Sequence, residues 1–100
     1  MDVLFVPAQW PRVRVEQYKL LLAARAVENQ VFCVGCNSCG RAYDTAYGGS
    51  SCIIDPTGKA IAAAGEREEI LTARCDLQML ETIRKAIPVF HDRKPKIYKF

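Results

Sequence analysis

The sequence has 100 residues, half of them hydrophobic and a quarter charged, which is the composition of one small folded domain or of part of a larger one. That balance excludes a disordered or fibrous chain, and the net charge of +3 gives no reason to expect nucleic acid as a partner. No apolar run approaches the roughly 20 residues that span a bilayer, and the first residues lack a signal-peptide pattern. We therefore expect a cytoplasmic protein without a membrane partner.

The chain is predicted to begin with a strand and an amphipathic helix. Residues 2–6 are a short run of β-branched, aromatic and other apolar residues that ends at Pro7, which predicts a buried strand. Residues 8–12 are predicted to form a loop. From residue 14 to 29, apolar residues recur at helical spacing. They form two adjacent stripes, Val15, Tyr18, Leu22 and Ala26 in one and Leu20, Ala23 and Val27 in the other. Because the two stripes are wider than the usual apolar face, we expect this helix to pack against a sheet and also against a second surface.

The middle of the chain predicts further strands. Residues 31–36 form the second strand, and residues 37–49 form a polar loop that contains glycine. The third strand covers residues 51–54 and is followed by Asp-Pro-Thr-Gly, the sequence of a type I turn. Residues 59–64 are predicted to pair back as a hairpin.

The last part of the chain predicts one more strand and a second helix. Residues 69–75 are predicted as a strand, and Asp76 is a suitable N-cap for a helix that Pro88 ends. Residues 89–100 are predicted to be an extended tail. The element order therefore indicates a mixed α/β fold with two helices, an inventory that looks small for a complete layered domain.

Five cysteines allow a metal site to be considered. Cys33, Cys36 and Cys39 have a spacing found in some iron–sulfur and zinc sites, but no fourth ligand follows at a suitable position and His91 is the only histidine. Cys33 and Cys36 would also point to opposite faces of a strand. We therefore expect no metal and no cofactor, and cysteines that serve as small core residues. A small cysteine-rich metal binder remains as an alternative.

Five ordered motifs carry a resemblance to a known family. They are Val6-Pro7-Ala8-Gln9-Trp10-Pro11, the helical run from Leu21 to Gln30, Val34-Gly35-Cys36-Asn37, the run from Tyr47 to Gly58, and Ile87-Pro88-Val89-Phe90. Together they resemble the carbon–nitrogen hydrolases of the nitrilase superfamily, particularly the small ω-amidases. The resemblance covers essentially residues 1–100 and matches only the C-terminal segment of the family domain. It implies part of a four-layer α-β-β-α sandwich and, since dimers of the family commonly form through helices of this region, a homodimer or another self-associating form.

The resemblance also implies which functional residues to expect. The family hydrolyses a small amide through a thioester on a cysteine, with a Glu–Lys–Cys set that lies upstream of the Trp-Pro motif. None of the five cysteines matches that nucleophile, so no catalytic residue is assigned and the chain is expected to be inactive alone. Gln9 and Trp10 are predicted to line the substrate pocket, and Asn37 to rim it. The alternative role for Trp10 is to anchor a turn against the core. The alternative function is a non-catalytic remnant that serves as an oligomerisation or binding module.

Overall fold

The computed structural model describes residues 1–87. The predicted tail at residues 89–100, with His91, lies outside the described residues. Within residues 1–87, no helix is both long and apolar enough to cross a membrane.

A mixed four-stranded sheet forms the centre of the fold. Its strands are β1 (Val3–Ala8), β2 (Phe32–Asn37), β3 (Cys52–Ile54) and β4 (Ala60–Ala63), and they lie in that order across the sheet. β1 and β2 are parallel, with Val3 opposite Phe32 and Ala8 opposite Asn37. β3 pairs antiparallel with β2 and with β4. The prediction of a mixed α/β fold is confirmed. The predicted hairpin of β3 and β4 is also present, and in the turn that joins its strands the Gly58 N–H donates to the Asp55 carbonyl at 2.9 Å.

The first helix covers one face of this sheet. A 3₁₀ turn (Arg12–Arg14) leads into α1 (Val15–Asn29), and Gln30 ends the helix in a left-handed conformation. One of the two predicted stripes packs on the sheet, since Tyr18, Leu22 and Ala26 are buried against strand residues such as Cys33, Cys52 and Ile54. In the other stripe, Leu20 and Val27 are turned away from the sheet and are 71% and 50% exposed, whereas Ala23 packs against the core.

The second helix, α2 (Leu77–Ala86), has the predicted cap, because the Asp76 carboxylate accepts a hydrogen bond from the Gln78 N–H at 3.0 Å. Arg84 joins this helix to the end of α1 and to the start of the chain. Its guanidinium donates to the Gln30 carbonyl at 3.1 Å, to the Met1 carbonyl at 2.8 Å and to the Asp2 carboxylate at 3.0 Å. These hydrogen bonds hold the end of α1 and the first two residues of the chain beside α2.

Two local predictions are corrected by the structure. Residues 69–75 are not a strand. Residues 71, 73 and 75 are half-buried and residues 70, 72 and 74 are exposed, as in a strand, but this segment has no paired neighbour in the described sheets. The polar loop at residues 37–49 also contains two short antiparallel strands, Arg41–Ala42 and Thr45–Ala46, which pair only with each other.

Candidate functional site

The site predicted from the sequence lies at the carboxyl ends of the two parallel strands. Because β1 and β2 run in the same direction and end in register at Ala8 and Asn37, their carboxyl ends meet at one edge of the sheet. An open cleft of about 570 Å³ lies there, lined by Pro7, Ala8, Gln9, Cys36, Asn37 and Ser38. Two of the predicted substrate-binding residues, Gln9 and Asn37, therefore line the same cleft.

Asn37 is held by the main chain around it. It is only 7% exposed, and its amide oxygen accepts a hydrogen bond from the Trp10 N–H at 2.7 Å. Its amide nitrogen donates to the carbonyls of Trp10 at 3.2 Å and Gly49 at 2.9 Å. The Asn37 N–H donates to the Ser51 hydroxyl at 2.9 Å. Asn37 thus ties two chain segments, the loop at Trp10 and residues 49–51, to the end of β2, and this positioning role is one that sequence reasoning missed.

Trp10 lies beside the cleft and contacts α1. Its ring centroid is 5.6 Å from that of Tyr18, with the two planes tilted by 32°. Tyr18 is buried and donates from its hydroxyl to the Val6 carbonyl at 3.2 Å. Burial, and then the nearby Cys52, Cys36 and Cys33, raise the pKa of Tyr18 to about 12, so its phenol is neutral at physiological pH. The Trp10 side chain therefore anchors the loop after β1 against α1. Contact of Trp10 with a substrate stays a prediction.

A second, smaller cleft adjoins the first at Gln9. It has a volume of about 240 Å³ and is lined by Gln9, Trp10, Pro11 and Arg14. The guanidinium carbon of Arg14 lies 5.9 Å from the centroid of the Trp10 ring, within the range of a cation–π contact. Arg14 was not among the predicted site residues, and the sequence signal that could have found it is a cation four residues after the predicted pocket residue Trp10.

The cysteines differ in their fitness for nucleophilic chemistry. Cys33 and Cys52 are buried, and burial raises the pKa of both thiols, which disfavours the reactive thiolate. Cys36 is exposed and lines the larger cleft, on the opposite face of β2 from Cys33, as predicted. Among residues 1–87, no three His, Cys, Asp or Glu side chains are grouped as a metal site would require.

Comparison with known proteins identifies the family. The sequence profile of the carbon-nitrogen hydrolase family matches residues 2–85. The chain is 44% identical over 97 residues to a 2-oxoglutaramate amidase of Bacillus subtilis, an alignment that covers 97% of this chain and 38% of that protein. The chain therefore belongs to the carbon-nitrogen hydrolase family, as the motifs predicted.

Solved structures show the same fold. A carbon-nitrogen hydrolase superfamily protein from Xanthomonas campestris superposes with a TM-score of 0.88 at 30% identity, over 94% of this chain and 36% of that one. A nitrilase superfamily member from Saccharomyces cerevisiae superposes with a TM-score of 0.83 at 33% identity, over 92% of this chain and 35% of that one. The predicted nitrilase-type fold is confirmed. This chain spans about two fifths of the length of three curated relatives that it matches, between 37% and 42% of each.

Proposed function

We propose that this chain is the C-terminal part of a carbon-nitrogen hydrolase of the ω-amidase type, and that it contributes one wall of the pocket for a small amide. The observation that carries the proposal is the cleft at the carboxyl ends of β1 and β2, where Gln9 and Asn37 face the same space with Trp10 beside them. The relationship to a 2-oxoglutaramate amidase supports an amide with a second functional group as the substrate class.

We further propose that the catalytic nucleophile is supplied by another segment of the protein, so that this chain is inactive alone. Hydrolysis through a thioester needs a thiolate, a base to activate it and a cation or N–H groups to stabilise the oxyanion. The raised pKa of Cys33 and of Cys52 makes both thiols poor nucleophiles. The chain spans only 38% and 42% of the length of two relatives, which supports a division in which another segment of the protein supplies the nucleophile.

A chimera tests this division of roles. The matching part of the Bacillus subtilis 2-oxoglutaramate amidase is replaced by this chain, and ammonia release from 2-oxoglutaramate is measured for the chimera and for the chain alone. We expect activity in the chimera only. Hydrolysis by the isolated chain that is lost in Cys36→Ala would contradict the proposal, because Cys36 would then be the nucleophile. An inactive but folded chimera would favour the non-catalytic binding module instead.

We also propose that the outer face of α1 carries a contact between two copies of the chain. Leu20, Leu21 and Val27 are 71%, 43% and 50% exposed, which leaves an apolar stripe on a helix whose other side is already packed. Sedimentation of the purified chain tests this, and we expect a dimer that Leu20→Asp converts to monomer. Leu20→Asp should leave the helical circular dichroism unchanged, and a wild-type monomer would be evidence against the contact.

The five cysteines, none of which forms a disulfide, support a cytoplasmic location for this protein. No nucleic-acid or membrane partner is part of the proposal. The partners that we propose are the amide substrate and a second copy of the chain.

A further inference from the structure

We propose that Arg14 binds a carboxylate group of the substrate, so that the enzyme selects ω-amides that carry a negative charge at the end opposite to the amide. This inference rests on the proposed function, because it assigns the second half of the same pocket. It concerns the smaller cleft lined by Gln9, Trp10, Pro11 and Arg14, which adjoins the larger cleft at Gln9.

The position of the Arg14 side chain leaves its donors available. The guanidinium carbon lies over the Trp10 ring at 5.9 Å from its centroid, and no side-chain hydrogen bond or ion pair occupies the Arg14 N–H groups within residues 1–87. A guanidinium with free N–H groups can donate two parallel hydrogen bonds to one carboxylate. Trp10 is itself held by Asn37 and Tyr18, so the platform under the cation is fixed.

The positive charge of Arg14 is not paired with an acidic side chain in the described part of the chain. Within residues 1–87 Arg14 forms no ion pair, whereas Arg12, two residues earlier, is paired with Glu66 at 2.9 Å. The nearest acidic residue along the helix, Glu16, is paired with Lys19 at 3.2 Å. A cation that lines a cleft and lacks a protein carboxylate is suited to bind an anionic group of a ligand.

The two adjoining clefts match the two ends of such a substrate. An ω-amide of a dicarboxylic acid has a neutral amide at one end and a carboxylate at the other. The larger cleft, with Gln9 and Asn37 at the ends of the parallel strands, receives the amide end. The smaller cleft, with Arg14 stacked on Trp10, receives the carboxylate. Gln9 lines both clefts and lies where the carbon chain between the two groups would pass.

The fluorescence of the purified chain tests the inference directly, because Trp10 is the only tryptophan. The chain is titrated with the monoamide of glutaric acid and, in parallel, with the uncharged diamide, and calorimetry under the same conditions measures each affinity independently of the emission. We expect the monoamide to give a saturable change in Trp10 emission and the diamide to bind at least tenfold more weakly, because it lacks the charge that would pair with Arg14.

Two variants distinguish a specific contact of Arg14 from a general effect of positive charge near the cleft. Arg14→Gln should weaken monoamide binding by about tenfold or more and diamide binding by much less, so that the preference for the monoamide falls. Arg12→Gln removes an equal charge two residues away, but from an arginine paired with Glu66, and should leave both affinities unchanged. The inference would be overturned if the two ligands bind equally well, or if the monoamide shows no saturable binding at millimolar concentrations. It would also be overturned if the two variants have equal effects.

The chimera distinguishes this inference from the proposed function. If the chimera is active, Arg14→Gln should lower kcat/KM for 2-oxoglutaramate by about tenfold or more relative to kcat/KM for butyramide. An active chimera in which both values fall equally would reject the role of Arg14 while the amidase proposal stands. If the chimera is inactive but the isolated chain still selects the monoamide through Arg14, the amidase proposal fails and the carboxylate site stands.

Discussion

Asn37 and Trp10 hold each other through a reciprocal pair of hydrogen bonds that closes the end of β2 against the loop after β1. The Trp10 N–H donates to the Asn37 amide oxygen at 2.7 Å, and the Asn37 amide nitrogen donates to the Trp10 carbonyl at 3.2 Å. Because the same nitrogen also donates to the Gly49 carbonyl, one side chain sets the position of the pocket loop relative to the sheet.

We predict that Asn37→Ala destabilises the chain by about 2–3 kcal/mol, because the Trp10 N–H and the Gly49 carbonyl lose their partner. Urea unfolding followed by Trp10 fluorescence measures the loss. Asn37→Asp keeps the acceptor for the Trp10 N–H but places a buried carboxylate against the Trp10 and Gly49 carbonyls, so we expect its loss at neutral pH to be at least as large. Equal stability of Asn37→Ala and wild type would refute this role.

Gly35 lies in β2 directly under α1. A Cβ at this position would lie 2.7 Å from the Tyr18 hydroxyl oxygen and would also overlap the Leu22 side chain. We predict that Gly35→Ala costs about 1–3 kcal/mol, because the buried helix must move away from the sheet. Gly65→Ala is the control, since a Cβ there has no neighbour within 4 Å and the φ angle is not positive. Thermal unfolding should separate the two variants, and similar Tm values would argue against close packing at Gly35.

Tyr18 should make stability depend on alkaline pH. Its pKa is raised from 10.0 to about 12, so its contribution is fully present below pH 10 and is lost as the pH rises through about 12. We predict that the stability difference between wild type and Tyr18→Phe, about 1 kcal/mol near neutral pH from the bond to Val6, shrinks over this window. The phenolate absorbance of wild type minus that of Tyr18→Phe should rise with a midpoint near pH 12. A midpoint at the ordinary tyrosine value would mean that Tyr18 is accessible to water.

Asp55 should make stability depend on acidic pH in the opposite sense. Burial acts to raise its pKa, but hydrogen bonds from the Thr57 hydroxyl at 2.6 Å and N–H at 2.8 Å and from the Lys59 N–H outweigh burial and lower it. The contribution is therefore present above about pH 4 and is lost as the pH falls below that value.

Asp55→Asn is the variant that tests this sign, because it keeps an acceptor for the turn and cannot ionise. We predict that wild type is more stable than Asp55→Asn by about 1 kcal/mol at pH 6, and that the difference narrows as the pH falls from about 4. Denaturant unfolding at a series of pH values measures it. A difference that stays constant down to pH 2 would show that ionisation of Asp55 does not contribute to stability.

The sequence by itself determined the parts of the fold that depend on neighbouring residues. Helical spacing defined α1, and Asp76 capped α2 as predicted, because periodicity and capping act within one element. The turn at Asp55 and the ion pair between Arg25 and Glu28, one helical turn apart, are local in the same way and are present in the structure.

Only the tertiary structure decided which segments pair and which polar groups meet. Residues 69–75 have the alternation of a strand, yet they do not form one, because a strand requires a hydrogen-bonding neighbour and none of the described strands pairs with them; Ile70 is 93% exposed. The bonds of Asn37 to Trp10 span 27 residues, and the contact of Arg14 with Trp10 depends on how α1 leaves the loop. Local patterns do not encode such distances, since they arise when α1 packs on the sheet and brings distant segments to one edge.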